Sequence, residues 1–218
     1  MKRKEVILRV SLALFNEQGE SNITSVDIAN EMEISPGNLY YHFKGKEEII
    51  ASLVQNFAAE IGTVVAASQR VDKALSARWL LIYLILETVY LHRFFFRNIP
   101  DIIYNYPESG KALVKILNQL ENLFSHSLLS LADSETIAIS PVQKNLVAKL
   151  VKSIMLVIVY WESYQVLARQ SLTETQFVQD ASLQILSLIS PYLRDEQIRD
   201  IHQCHQQYLR DRVARAVI

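Results

Sequence analysis

The sequence predicts an all-α fold, on three observations. Glycine and proline number five each in 218 residues, too few for the many tight turns of a sandwich or barrel. Apolar residues recur at three- and four-residue steps along most of the chain, the period of an amphipathic helix. Between those stretches stand helix-start signals of the Ser/Thr cap type. Half the residues are apolar and 21% are charged, which suits a packed core rather than a disordered chain.

Taken in order, the first helix starts near Lys4, carries Val6, Val10, Ala13 and Leu14 on one face, and closes at Gly19. Thr24-Ser25-Val26-Asp27 is a Thr-x-x-Asp cap that opens a short second helix. Ser35-Pro36 pairs a cap with proline at the first helical position, where a missing N–H costs nothing, and opens a third. Gly45 ends it. Lys46 opens a long fourth helix through Ile49, Leu53, Phe57 and Ile61. Asp72 caps a fifth that carries Leu75, Trp79, Ile82, Leu86 and Tyr90. Pro100 and Pro107 frame a loop-rich joint. Helical signal resumes over 108–131, and 133–139 reads as a loop. Ser140-Pro141-Val142-Gln143 joins a cap, a proline and a capping-box glutamine at the head of a helix that runs to about residue 169. Thr173-Glu174-Thr175-Gln176 is a second such box, for a helix ending near 190. A charged, helical tail spans 194–215. The domain boundary is expected near residue 50, giving one domain over 1–50 and a larger one over 51–218.

Composition narrows the functional classes. Bases number 22 against 23 acids, a net charge of −1, with no polybasic arm or acidic tail. The single cysteine, Cys204, excludes an internal disulfide and suits a reducing, cytoplasmic setting. The apolar run over 10–15 is too short for a signal peptide and lacks a cleavage site. The oiliest runs, 79–86 and 153–161, fall short of the ~18 residues that span a bilayer, so no membrane partner is expected. His-Glu-x-x-His, Gly-x-Ser-x-Gly and Gly-rich phosphate loops are missing from the sequence, so no catalytic residue or cofactor is expected. His202-Gln203-Cys204-His205 has no second ligand cluster at finger-like spacing and reads as a polar tail helix, not a metal site.

The sharpest signal lies over 24–43. Two short capped helices flank Asn30-Glu31-Met32-Glu33-Ile34, the spacing of a helix-turn-helix. Ile28, Ala29, Met32, Ile34, Leu39 and Phe43 supply its inward face. Leu39 and Phe43, four apart, turn inward together and leave Gly37, Asn38, Tyr40, Tyr41 and His42 for another surface. Tyrosine hydroxyls and an imidazole nitrogen donate to phosphate oxygens. Gly37 removes a side chain near the helix start, where backbone N–H groups favour an anion. Over 1–50, six bases stand against eight acids. Phosphate contacts would therefore come from hydroxyls and amides as much as from lysine, and the salt slope would be modest.

Leu39-Tyr40-Tyr41-His42-Phe43-Lys44-Gly45-Lys46-Glu47, following Thr24 and Ser35-Pro36-Gly37, resembles the DNA-binding domain of TetR-family (tetracycline-repressor-type) transcriptional regulators. The resemblance covers about residues 4–50. It implies an all-helical homodimer whose amino-terminal three helices bind an operator in double-stranded DNA, and whose larger domain dimerises and senses a small-molecule effector. Carried over residue by residue, Thr24, Ser35, Tyr40, Tyr41, His42 and Lys46 would contact phosphates, with Lys44 adding charge. Ser25, Gly37 and Asn38 would lie nearest base edges. The family's turn usually has glycine where this chain has Glu33, a cost of about 1 kcal/mol if the position needs φ > 0.

For the effector, the resemblance implies a cavity in the aromatic middle of the chain. The candidates are Phe57, Tyr83, Glu87, Tyr90, Phe94, Phe124, Trp161 and Tyr164; His92, Arg93, Arg97 and Asp101 are further polar candidates. The helices near 141–169 and 174–190 are each apolar on one broad face, which fits either a four-helix dimer interface or burial within one subunit. The resemblance favours the dimer. Other classes remain open: a helical protein-interaction module without DNA binding, and a helical enzyme using the aromatic cavity.

Overall fold

A computed structural model of the chain describes residues 3–70, 74–140 and 143–216. Among them no strand occurs, and eleven α-helices follow one another. They are α1 (Arg3–Gln18), α2 (Ser25–Glu31), α3 (Pro36–His42), α4 (Lys46–Ser68), α5 (Leu75–Leu91) and α6 (Phe94–Arg97). Then come α7 (Ile99–Asn105), α8 (Pro107–Asp133), α9 (Val147–Leu167), α10 (Glu174–Ile189) and α11 (Asp195–Ala216).

The caps read from sequence are present. The Thr24 hydroxyl accepts from the Asp27 N–H, and the Asp27 carboxylate accepts the Thr24 N–H at 2.8 Å. Ser35 accepts from the Asn38 N–H, with Pro36 behind it. Thr173 and Gln176 form the same reciprocal box at α10. Ser140 and Gln143 also exchange bonds, at 2.8 and 3.3 Å. The turn after them is a 3-10 turn over Gln143–Leu146, so α9 begins only at Val147. Lys2, Asp72, Pro141 and Val142 lie outside the described residues.

Two expectations need correction. The third helix ends at His42, before Gly45, because Phe43 leaves helical geometry at φ −137°. The joint expected as loop is helical: α6 and α7 occupy it, Pro100 falls in the first turn of α7, and Pro107 opens α8. Proline lacks only an N–H that a first turn leaves unpaired anyway. Phe94, Phe95 and Phe96 are all buried, and hiding each ring contributes on the order of 2 kcal/mol, enough to hold such short helices. Gly110 is required there, since a Cβ on it would lie 2.7 Å from the Ile103 Cα.

The chain divides into two compact units, Met1–Glu60 with His92–Ile116, and Ile61–Leu91 with Leu117–Ile218. The division falls inside α4 and α8. In the first unit, Phe57 meets Phe96 edge-on at 5.7 Å, and Phe15 meets Phe94 at 5.3 Å. The buried Asn16 side chain accepts the Phe94 N–H at 3.0 Å. The boundary expected near residue 50 falls inside α4, and the unit that carries α2 and α3 also takes in 51–60 and 92–116. In the second unit α5 packs against α9, α10 and α11, burying Trp79, Tyr83, Ile85, Leu86 and Val89.

α4 and α9 are each long and apolar enough to cross a bilayer, which corrects the shorter runs read from sequence. In α4, Ile49, Ile50, Leu53, Val54, Phe57, Ile61 and Val64 are buried within the protein.

Candidate functional site

α2 and α3 join through a tight helix end. The Glu33 N–H donates to the Asn30 carbonyl and the Ile34 N–H to the Ala29 carbonyl, both at 3.0 Å. This paired closure requires its central residue in the left-handed region, and Glu33 sits there at φ 52°. The positive φ anticipated from the family's glycine is therefore real, and a glutamate occupies it.

The turn aims α3. Leu39 is fully buried and Phe43 nearly so, which fixes the roll of the helix. Ser35, Gly37, Asn38, Tyr40, Tyr41 and Lys44 are exposed, and His42 is half-buried. Tyr41 is 82% exposed and meets the His42 ring edge-on at 5.1 Å. The Ser35 oxygen accepts the Asn38 N–H at 3.2 Å, which leaves its own proton to donate. At Gly37 an added Cβ would meet nothing closer than the Ser35 hydroxyl, 3.9 Å away. Helical glycine costs ~1 kcal/mol relative to alanine, and no packing within the chain requires it.

Three expected contacts are placed otherwise. Ser25 is buried beneath the start of α2. The Thr24 hydroxyl gives its proton to Asp27 at 2.6 Å, and that bond holds the Asp27 carboxyl below the usual carboxylate range. Thr24 is thus a cap without a spare donor. Lys46 faces its own chain: its ammonium lies 2.7 Å from the Glu20 carboxylate and also donates to the Ile23 carbonyl. Two groups of the buried turn outbid solvent for it, so it is no free cation. Lys4 lies over the Phe43 ring at 5.3 Å.

The expected effector residues do not converge. A cavity of about 60 Å³ lies between α5, α8, α9 and α10, and of the eight only Phe124 lines it. Leu75, Trp79, Ile82, Leu128 and Ile185 are among its other walls, and Arg78 is its one charged lining residue. Phe57 and Phe94 belong to the core of the first unit. Tyr83 and Glu87 line a separate, more open cleft between α5 and α11, of about 360 Å³. There Tyr208 stacks on Tyr83 at 4.4 Å and donates to Glu87 at 2.8 Å. The Tyr90 hydroxyl donates to the Leu172 carbonyl. Trp161 and Tyr164 stack on each other along α9, at 5.7 Å. α5 is apolar on nearly every side, so periodicity does not tell the faces of Tyr83, Glu87 and Tyr90 apart. Arg78 went unnoticed, although it is the only base in α5.

One further surface stands out. Leu156, Tyr160, Tyr164 and Leu167 of α9 are exposed at steps of four, four and three residues, with Leu183 of α10 exposed as well.

Comparison with known proteins gives concordant matches. The family model described as "Bacterial regulatory proteins, tetR family" matches residues 7–53, and the TetR model described as "Bacterial transcriptional repressor" matches residues 56–201. The chain is 28% identical to a TetR-family transcriptional regulator of known structure from Marinobacter aquaeolei VT8, over 94% of this chain and 98% of that one, with a TM-score of 0.81. It is 41% identical to the transcriptional regulator QacR of Staphylococcus aureus over 25% of this chain and 29% of that protein. It is 38% identical to the biofilm operon negative regulator IcaR of Staphylococcus epidermidis, over 24% of this chain and 29% of that protein. The curated relatives are thus matched over less than a third of their own length.

Proposed function

Because the chain belongs to the TetR family of bacterial transcriptional regulators, we propose that it is a cytoplasmic, ligand-responsive repressor that binds a near-palindromic operator as a homodimer. The observation that carries this reading is the outer face of α3. It holds Ser35, Asn38, Tyr40, Tyr41, His42 and Lys44 around Gly37, where the missing side chain serves nothing inside the protein. A recognition helix entering the major groove needs that combination: donors for phosphates at its flanks and close backbone approach at its start. Ser35, Tyr40, Tyr41 and His42 then contact phosphates, and Gly37 and Asn38 lie nearest the base edges. Thr24 and Lys46 hold the frame.

The exposed stripe of α9 with Leu183 of α10 is the surface through which two copies associate. Two-fold symmetry then sets two α3 helices one helical turn of DNA apart, about 34–36 Å, or a multiple of it. An effector bound in the second unit shifts the population toward a spacing that fits the operator less well. α4 carries the change, since its residues 46–60 belong to one unit and 61–68 to the other.

Selection of bound sequences from random duplex DNA tests the reading. A palindrome should emerge with the wild-type protein and vanish with Tyr41→Ala combined with His42→Ala. Selection of no common sequence by the wild-type protein overturns it.

A further inference from the structure

We propose that Tyr106 is a positioning residue for operator binding: its hydroxyl fixes the Glu20 carboxylate, Glu20 fixes Lys46, and this relay sets the stance of α3. The inference rests on the operator-binding reading above and adds to that site a residue from outside the helix-turn-helix. All of its groups belong to the first unit. The Tyr106 hydroxyl donates to Glu20 Oε1, the same oxygen that the Lys46 ammonium approaches at 2.7 Å. Glu20 is buried and stands in the 3-10 turn Glu20–Asn22, just ahead of the Thr24 cap of α2. Lys46 opens α4 shortly after His42 ends α3. One carboxylate oxygen therefore joins the entry to α2, the exit from α3 and the joint between α7 and α8.

Tyr106 is equipped to hold that oxygen in place. Its N–H donates to the Ile102 carbonyl at 3.0 Å, and its own carbonyl accepts the Gly110 N–H at 2.8 Å. Both neighbouring helices thus fix its backbone, which limits the directions open to the ring. Burial, with the Glu20 carboxylate beside it, pushes the phenol above its ordinary pKa, so it stays a proton donor at neutral pH. A buried carboxylate depends on each such donor, because a lost partner leaves charge that water does not solvate. A second tie lies nearby. The Phe94 N–H donates to the buried Asn16 side chain at 3.0 Å, and the Phe94 ring meets Phe15 at 5.3 Å. Asn16 and Glu20 flank Gly19, where the chain bends at φ 85°. The bend from which α2 and α3 hang is thus gripped on both sides. Leu39 and Phe43 fix the roll of α3, and the relay fixes its exit. A preorganised stance discriminates between half-site spacings, whereas a looser one tolerates a mismatch.

Hydrogen exchange and operator titration of the full chain test the relay. Wild type is compared with Tyr106→Phe, which removes one oxygen, and with Tyr104→Phe, which removes an exposed hydroxyl on α7. Amides over 20–43 should exchange about tenfold faster in Tyr106→Phe, with those over 147–189 unchanged. Tyr104→Phe should match wild type throughout. Wild type should lose affinity for its selected duplex when one base pair is inserted at the centre. Tyr106→Phe should shrink that loss by at least about threefold. Partial unfolding scales both affinities alike and leaves their ratio, so a hydroxyl that served stability alone would not move it. Unchanged exchange over 20–43, or an unchanged ratio between the two duplexes, overturns the proposal. Selection of no duplex by wild type overturns the regulator reading and the operator role with it, while the exchange measurement still decides whether Tyr106 holds the frame.

Discussion

The Lys46 ammonium lies 2.7 Å from the Glu20 carboxylate and donates to the carbonyls of Glu20 and Ile23 at 3.1 and 3.0 Å. Glu20, itself buried, also accepts from the Tyr106 hydroxyl. This knot ties the first turn of α4 to the segment just before α2. Lys46→Ala should therefore act on stability rather than on DNA contact. It leaves a buried carboxylate without its cation and should cost on the order of 2 kcal/mol in urea unfolding. The slope of operator affinity against salt should stay unchanged; a slope lower by about one unit would return Lys46 to the DNA.

Gly37→Ala separates folding from recognition. The helix gains about 0.5–1 kcal/mol, because the added methyl group meets only the Ser35 hydroxyl at ordinary contact distance. Operator affinity should fall by about tenfold or more, as a close backbone approach is lost. Unfolding and DNA titration on the same sample give both readings, and a variant that binds the operator as well as wild type would remove Gly37 from the interface.

Glu33→Gly relieves the left-handed backbone at φ 52°. Relief of about 1 kcal/mol, less a few tenths for the freer unfolded chain, should raise Tm by roughly 2–3 °C. Glu33→Ala keeps the Cβ and should not show the gain. Equal shifts in the two variants would assign the effect to charge.

Leu156→Glu combined with Tyr160→Glu puts two charges on the exposed stripe of α9. Sedimentation should show wild-type dimers and variant monomers. Operator affinity should drop by about a hundredfold, since one half-site no longer delivers the other. A variant that still sediments as a dimer would move the interface elsewhere.

Burial holds the His205 imidazole below the usual histidine value, and neighbouring His202 adds to the effect. The Tyr83 hydroxyl receives the Trp79 N–H and lies 3.0 Å from His205 Nδ1. Below about pH 6.5 the unfolded chain binds a proton that the folded chain refuses. The stabilising contribution is complete above that value and is lost as pH falls toward the depressed folded value, at up to about 1.4 kcal/mol per unit. Urea unfolding between pH 5 and 8 should show wild type losing more stability than His205→Gln over the acid half of the range. Parallel curves would place the acid sensitivity elsewhere.

Much of the helical order was legible because it depends on local chemistry. The pairs Thr24–Asp27, Ser140–Gln143 and Thr173–Gln176 close within three residues. The outer face of α3 was legible too, since Leu39 and Phe43 commit one side of a seven-residue helix and leave the rest outside. Helix ends were harder to read. Glu33, Glu135 and Arg169 take the left-handed position that glycine usually fills, so the usual stop signal was absent.

What the sequence by itself determined is the long helices and the two short capped ones, the outward side of α3 and the family. Capping, periodicity and short-range burial act over a few residues, and each leaves its mark in the order of the chain. Only the tertiary structure decided that Lys46 turns to Glu20, that Ser25 is covered, and that Arg78 rather than Glu87 lines the small apolar cavity. The placements of Lys46 and Arg78 depend on groups 26, 49 and 52 positions apart, where desolvation and partner geometry choose among faces that the order of the chain leaves equivalent.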